Sequence, residues 1–205
     1  MAYDFEAGNS TDRIAYADNA NLDMTSAMSI SVLVKIESYP ATTQVIVTKA
    51  FQDSRQGNYE LWADNTSGGR IIFYWWNASN ILRLVAKTGL TTGAWHNIVV
   101  TVTGDDISKL YFDGVDQAVT PSGSSSFTRN LTSGLYVGNS EASAWRFDGI
   151  IAEVGIWNVA IDAAEAVSLS KYFAPPLIRP ASLKFYAPLV RSANDKRTGL
   201  AGTVA

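Results

Sequence analysis

The 205-residue chain has no cysteine and only one histidine, His96. Without cysteine there is no disulfide framework and no thiolate metal site, so a core large enough to stand alone must hold the fold. No window approaches the roughly 18 apolar residues of a membrane-spanning helix. Lys and Arg are scattered singly in a chain of net charge −3, unlike the basic surface that binds phosphates. We therefore expect neither a membrane nor a nucleic acid as partner.

The first eight residues, Met-Ala-Tyr-Asp-Phe-Glu-Ala-Gly, contain neither a basic region nor an apolar core. This start does not have the pattern of a signal peptide, so we do not expect secretion by that route. Together with the missing cysteines, it favours a cytosolic, bacterial or viral protein over a small secreted disulfide scaffold.

Apolar residues alternate with other residues through much of the chain, which predicts β-strands. In Met28 to Ile36, five apolar residues alternate with Ser29, Ser31, Leu33 and Lys35, and in Trp95 to Thr103 the residues Ile98, Val100 and Val102 share one face. The second run leads through a Gly-Asp-Asp turn into Lys109 to Gly114, so the two form a hairpin. His96 shares a face with Ile98 in this alternation, which predicts a hydrogen-bonded core histidine.

The chain from residue 146 onward is predicted to form a strand and then a helix. In the strand 146–157, we expect Glu153 to point outward, opposite a row formed by Ile150, Ala152, Val154 and Ile156. Asp162-Ala-Ala-Glu165 predicts a capped helix to about Phe173, with Ala166, Leu169 and Phe173 on the sheet.

Pro175-Pro176 ends that helix. Residues 182–189 then alternate again, and we expect a strand at a sheet edge beside Tyr3–Phe5. The polar residues 194–205 are expected to hang free or to dock on a neighbour.

The hairpin sequences Trp-His-Asn-Ile-Val-Val-Thr and Leu-Tyr-Phe-Asp-Gly resemble the central hairpin of the laminin-G-like, concanavalin A-like jelly-roll families. Met28–Ile36, Val45–Lys49 and Phe147–Val154 resemble other strands of these families, in the same order. The resemblance implies an all-β antiparallel sandwich with one short helix near the C-terminus. It covers residues 1–173, and 174–205 are interpreted as an extension of the same domain.

The segment from Pro175 to Leu189 is similar to the tails of laminin-G-like proteins encoded by bacteriophages and prophages. This similarity implies a virion-surface protein, such as a capsid decoration or a tail-associated module, assembled in the host cytoplasm. Its expected partners are capsid or tail proteins and sister subunits, with a homo-oligomer on the virion. On this interpretation the termini and the arm 179–205 make those contacts, and deleting residues 190–205 should weaken assembly while leaving the fold intact.

Jelly rolls of this shape include glucanases, which need two carboxylates flanking the scissile bond. In the glucanases that the resemblance suggests, these lie in a Glu-x-Asp-x-x-Glu strand, and none of the six Glu residues opens that pattern. Glu153 is the only tempting acid, and a solvated strand residue is its simpler interpretation. A histidine relay would depend on His96 alone. We therefore predict a protein that is not an enzyme.

Calcium is the cofactor that relatives of this fold often hold through loop carboxylates. Six aspartates fall in predicted loops or turns, although none has EF-hand spacing and Asp is an ordinary turn residue: Asp53, Asp64, Asp105, Asp106, Asp113 and Asp116. No cofactor is predicted, calcium is kept as an alternative, and no ligands are assigned.

The run Phe73-Tyr74-Trp75-Trp76 cannot be wholly buried, because neighbouring strand residues face opposite sides. If Phe73 and Trp75 point inward, then Tyr74 and Trp76 point outward, next to Asn77 at the following turn. Aromatic rings beside amides are a typical platform for a sugar ring. Tyr74, Trp76 and Asn77 are thus the glycan-binding candidates. The alternatives are that Trp76 packs under a loop or contacts another subunit.

These observations favour a non-catalytic structural and adhesive jelly roll on a bacteriophage virion that binds glycans. The rival is a free carbohydrate-binding lectin, with calcium as an option. A third interpretation is a glycoside hydrolase or lyase whose acid pair comes from separate strands.

Overall fold

The computed structural model describes residues 2–39, 43–49, 59–65, 69–76, 81–86, 89–103, 108–123, 132–140, 145–190 and 192–205. For residues 76, 81–83 and 85 it describes the backbone only. Within this part of the chain, no helix is long and apolar enough to cross a membrane.

The described strands form two sheets of seven strands each. The first sheet contains β1 (Tyr3–Phe5), β3 (Met28–Ile36), β8 (Trp95–Val102), β9 (Lys109–Phe112), β10 (Val115–Asp116), β12 (Gly149–Trp157) and β13 (Leu183–Ala187). The second contains β2 (Ile14–Tyr16), β4 (Gln44–Lys49), β5 (Tyr59–Asp64), β6 (Arg70–Trp76), β7 (Ile81–Val85), β11 (Leu135–Val137) and β14 (Gly202–Val204).

The first sheet runs β1-β12-β3-β8-β9-β10, and the second runs β14-β2-β11-β4-β5-β6-β7. Each strand pairs antiparallel with its neighbours, for example β3 with β8 from Met28↔Val102 to Lys35↔Trp95. The two inner faces enclose the main core, into which the whole predicted row of β3, from Met28 to Ile36, points. The predicted all-β antiparallel sandwich with one short helix is confirmed.

The predicted hairpin is confirmed, with Ile98 opposite Phe112 and Thr101 opposite Lys109. Its Gly-Asp-Asp turn lies outside the described residues. The next turn is built on Asp113 (φ 50°) and Gly114 (φ 79°). Two successive positive φ angles give the turn that best matches the twist of a two-residue hairpin, so this turn signal is also confirmed.

The outer face of the first sheet is also covered. The helix α1 (Ala163–Ser170) and the segment after it pack on Val99 and Trp157, forming a second, smaller core. The indole Nε1 of Trp157 donates a 2.7 Å hydrogen bond to the Ile178 carbonyl. Central strands of this sheet are therefore buried on both faces, whereas their alternation alone predicted only one buried face.

The predicted capping box of α1 is confirmed: Asp162 accepts from the Glu165 N–H at 2.9 Å, and Glu165 accepts from the Asp162 N–H at 2.8 Å. The helix ends at Ser170, however, so the prediction that it reaches Phe173 and buries that ring was wrong. The chain leaves through Tyr172 in the left-handed region (φ 64°), with bonds from Tyr172 N to Leu169 O and from Phe173 N to Ser168 O. This is a Schellman ending, which turns the ring of Phe173 away from the sheet.

A bulge in β12 overturns the predicted facing of that strand. Ala152 pairs with Leu33 but Gly155 pairs with Ser31, so β12 carries one extra residue there. The bulge contains Glu153, whose backbone lies in the left-handed region (φ 53°). Because the bulge reverses the alternation, Ile151 joins Val154 and Ile156 in the main core, whereas Ile150 and Ala152 face outward.

The C-terminal arm is part of the sandwich. β13 pairs with the second half of β12 (Ile156↔Phe185), whereas β1 pairs with its first half (Tyr3↔Ile151), so β13 and β1 share an edge end to end and are not side by side. The chain then crosses to the second sheet, where β14 pairs with β2. The expectation of a free or neighbour-docked tail was therefore wrong, whereas the expectation that the fold survives deletion of residues 190–205 stays a prediction.

Candidate functional site

The aromatic run of β6 alternates as predicted. Phe73 and Trp75 are fully buried in the main core. Tyr74 lies between them on the outer face of the second sheet and is partly exposed. The strand includes the backbone of Trp76, whose side chain is outside the described part, and Asn77 lies outside the described residues altogether.

Two tryptophans that the sequence did not single out join Tyr74 on this face. The ring of Trp62 on β5 lies 4.8 Å from that of Tyr74, at an interplanar angle of 61°. The ring of Trp145, which comes from the segment before β12, lies 5.0 Å from that of Trp62 at 53°. All three are partly exposed. We call Trp62, Tyr74 and Trp145 the aromatic cluster.

The backbone explains why these rings meet. Tyr59, Leu61 and Ala63 point into the core, so the alternation of β5 sends Trp62 outward. The Val45 N–H donates to the Trp145 carbonyl at 2.9 Å, which ties the segment before β12 to the edge of β4, opposite Trp62. Alternation in β5 could have identified Trp62, whereas nothing in the sequence near Trp145 indicates this long-range contact.

Charged groups border the aromatic cluster on the same face. Arg70 binds Asp64 through both ends of its guanidinium, with Nε–Oδ1 at 3.1 Å and Nη2–Oδ2 at 2.5 Å. The carboxylate of Asp64 raises the pKa of Arg70 above its ordinary value. Glu60 is directly opposite Tyr74 in the register and is buried. Rings with fixed hydrogen-bonding groups at their border suit a ligand with both apolar C–H and hydroxyl groups.

Three of the six loop aspartates considered for calcium are described, and each already pairs with another side chain of the protein. Asp64 holds Arg70, and Asp116 accepts from Lys109 at 2.6 Å. Asp113 accepts from the Asn97 N–H at 2.8 Å and contacts His96 at 2.7 Å. Among the described residues, no three His, Asp or Glu side chains are grouped in a way that could hold a metal ion. Asp53, Asp105 and Asp106 lie outside them.

His96 is hydrogen-bonded, although it lies at the rim and not in the core. Its Nδ1 is 2.7 Å from Asp113 Oδ2, and its Nε2 is 2.9 Å from Thr91 Oγ1. Both ring nitrogens thus have partners that orient the ring, as in a structural histidine.

Glu153, expected on a solvated face, is half-buried in the bulge of β12. Its Oε2 accepts a 2.8 Å hydrogen bond from the Tyr186 hydroxyl. Burial raises the pKa of the Glu153 carboxyl, and the bond from Tyr186 partly opposes that rise. A second carboxylate nearby would also raise this pKa, and none of the described residues does so.

The sequence model of the concanavalin A-like lectin/glucanases superfamily matches residues 8–167. The chain belongs to this superfamily. No curated protein sequence matches the chain significantly. The superfamily includes both lectins and glucanases by name, so membership alone does not separate binding from catalysis.

Solved structures with this superfamily fold include a provisionally assigned carbohydrate-binding protein from Bacteroides ovatus ATCC 8483 (TM-score 0.71, 16% identity). Another is tailspike protein 2 of the Escherichia coli O157:H7 bacteriophage CAB120 (TM-score 0.67, 14% identity). The match covers 98% of this chain but 57% of the first protein, and 94% of this chain but 27% of the second. This chain thus spans only part of either protein's length.

A third similar structure is the CBM40 module of the Ruminococcus gnavus IT-sialidase, bound to α2,3-sialyllactose (TM-score 0.62, 10% identity). That match covers 83% of this chain and 96% of the module. At these identities the likeness concerns the fold alone.

Proposed function

We propose that the chain is a non-catalytic carbohydrate-binding adhesion module, with the aromatic cluster as its sugar platform. The observation that carries the proposal is the convergence of three partly exposed rings, Trp62, Tyr74 and Trp145, on the outer face of the second sheet. The solvent-facing side of a sheet normally carries polar side chains. Three adjacent aromatic rings there therefore indicate a surface for a ligand.

The chemistry of a sugar ring matches this surface. One face of a pyranose presents C–H groups to the negative face of an aromatic ring, and its hydroxyls remain free for hydrogen bonds at the border. Arg70 and Asp64 are fixed by each other, so these border groups are oriented before a ligand arrives. Pre-oriented groups lower the entropic cost of binding.

The absence of catalysis belongs to the same proposal. Retaining glycosidases need two carboxyl groups roughly 5–5.5 Å apart, and inverting ones a pair at roughly 6.5–9.5 Å. Glu153 is the strongest acid candidate, and its pKa is shifted by burial and by Tyr186, with no carboxylate partner in the described part of the chain. A lone carboxylate can bind a ligand but supplies only one of the two roles.

The proposed setting is a bacteriophage virion, on which the module is anchored as a homo-oligomer. The phage-like segment 175–189 and the tailspike of bacteriophage CAB120 among proteins of similar fold support this setting. Mass spectrometry of purified particles tests it: the chain should appear at a stoichiometric level with the other virion proteins. Its absence from intact particles would leave the free lectin as the better interpretation.

A glycan array with the purified protein tests the binding. We expect defined glycans to bind, and Tyr74→Ala and Trp62→Ala to weaken that binding at least tenfold. Tyr74→Phe is the matched control, because it keeps the ring and should retain binding. A parallel array with chelator tests calcium. Binding unchanged in both alanine variants would show that the aromatic cluster is not the site.

A further inference from the structure

A second candidate site lies on the opposite side of the sandwich, on the outer face of the first sheet. Here a cleft of about 180 Å³ opens between the sheet and the end of α1. It continues into a lobe of about 320 Å³, and both parts are lined by Leu33, Glu153 and Tyr172. We call these two parts together the Glu153 cleft. No residue of the aromatic cluster lines it.

Asn97 lines the narrower part and is only 3% exposed. Its Nδ2 donates to Ser31 Oγ at 3.2 Å and to the Val32 carbonyl at 3.4 Å. Since a carbonyl can only accept, this arrangement fixes the amide with Nδ2 toward Val32. Its Oδ1 is buried and has no donor among the described residues. A buried acceptor without a donor is costly unless something supplies one.

Glu153 supplies a second acceptor. Tyr186 occupies its Oε2, and no Lys or Arg in the described chain forms an ion pair with it. The backbone N–H of Glu153 donates to the Pro188 carbonyl at 3.2 Å, which holds the left-handed bulge in place. The carboxylate is thus fixed, half-buried and without a counter-charge among the described residues.

The wall and rim of the Glu153 cleft are aromatic. Tyr172 is 67% exposed, Phe173 is 52% exposed and Trp95 is 39% exposed. Tyr172 has a positive φ at the helix end, where glycine is usual, and this conformation places its side chain along the cleft. Large exposed rings beside buried acceptors suit a ligand with an apolar or ring-shaped body.

We propose that the Glu153 cleft binds a protonated amino sugar, with its ammonium group against Glu153 and Asn97. An ammonium group has three donors and no acceptor, which complements the unsatisfied Asn97 Oδ1 and a carboxylate that has one donor and no counter-charge among the described residues. A neutral hydroxyl would gain less, because it cannot neutralise the carboxylate. The neighbouring aromatic faces attract a cation and stack on a sugar ring. The wider lobe leaves room for the next residue of a chain.

Titration calorimetry or ligand-observed NMR at neutral pH tests this with glucosamine as the probe. We expect glucosamine to bind, and N-acetylglucosamine and glucose to bind at least tenfold more weakly. Glu153→Gln removes the charge and can still accept from Tyr186, so it should lower glucosamine affinity at least tenfold. Tyr172→Gly removes one ring at a position where glycine is favoured, and should lower it several-fold.

Lys109→Ala, which removes a surface ion pair with Asp116 outside the Glu153 cleft, is the control and should leave glucosamine binding unchanged. Loss of binding in Tyr74→Ala but not in Glu153→Gln would assign the sugar to the aromatic cluster and overturn this inference. Equal binding of N-acetylglucosamine would show that the ammonium group is not what the cleft recognises. Equal binding of Nα-acetyl-lysine amide would overturn the amino sugar as the ligand. Because the two sites use separate residues, either proposal can fail alone.

Discussion

Lys49 and Glu153 are both charged side chains removed from bulk water, one in each sheet, yet their surroundings differ. Lys49 is fully buried on β4, and its Nζ lies 3.0 Å from Asp18 Oδ1, 2.9 Å from Asp23 Oδ1 and 2.8 Å from the Ser133 carbonyl. The ammonium donates hydrogen bonds to Asp18 and to the Ser133 carbonyl, and it is paired by charge with Asp23. Glu153 has one hydrogen-bond donor, Tyr186, and opens onto a cleft.

The contrast separates a structural charge from a candidate ligand-binding one. Asp18 and Asp23 come from the connection between β2 and β3, and Ser133 comes from the segment before β11, so the ammonium joins β4 to two separate segments of the chain. It also occupies an all-oxygen environment of the kind that a hard cation would otherwise prefer. Glu153 joins only two neighbouring strands and keeps unused accepting capacity. Spare capacity at a buried charge is what a ligand can use.

The largest expected effect is on Lys49. Lys49→Ala should lower the free energy of unfolding by about 3–5 kcal/mol, because it leaves the carboxylates of Asp18 and Asp23 without their counter-charge and the Ser133 carbonyl without its donor. Urea denaturation measures the change. Lys109→Ala is the control: that lysine pairs with Asp116 at the surface, where solvent screens the pair, so its loss should change stability far less. Equal effects of the two variants would show that the buried Lys49 contributes no more to stability than a surface lysine.

Asp195 is a carboxylate that resembles Lys49 in its surroundings. It is 1% exposed and accepts from the backbone N–H groups of Tyr186 at 2.8 Å, Arg197 at 2.9 Å and Thr198 at 2.9 Å. Asp195→Ala should cost about 2–3 kcal/mol, because several buried donors lose their acceptor. Asp195→Asn retains one oxygen acceptor and should cost less. A stability like that of the unaltered protein would mean that the hydrogen bonds of Asp195 contribute little to the fold.

The smallest effect, with the opposite sign, is expected at Glu153. Its pKa is raised by burial, so the folded state favours the protonated form. The stability associated with that form is present at low pH and is lost as pH rises from the unfolded pKa through the raised folded pKa. Glu153→Gln mimics the protonated form. It should therefore stabilise the fold at pH 7 by less than about 1 kcal/mol, allowing for solvent screening.

Thermal melts of Glu153→Gln and the unaltered protein at pH 4 and pH 7 measure this difference. Tyr186 is the ionisable group that faces Glu153, and burial raises its pKa too, so it stays protonated throughout this range. The advantage of the variant should shrink toward pH 4. A constant advantage at both pH values would mean that the carboxylate charge is not its cause.

Local patterns predicted the elements that depend on local physics. The alternation of Met28–Ile36 predicted β3 and its inward row, and Asp162 with Glu165 predicted the start of α1, since a cap involves only residues three apart. Alternation also identified Tyr74 as outward-facing once Phe73 and Trp75 were assigned to the core. The candidate site was thus only partly predictable: Trp62 followed the same rule, while Trp145 reaches it by a long-range contact.

The sequence by itself determined the sandwich, the hairpin and the helix cap, because each follows from side-chain periodicity or from contacts between near neighbours. Only the tertiary structure decided the bulge at Glu153, the end of α1 at Tyr172 and the return of the arm to β2. These depend on which distant strands pair and in which register. An extra residue in one strand is visible only against its partner, and that partner is distant in sequence.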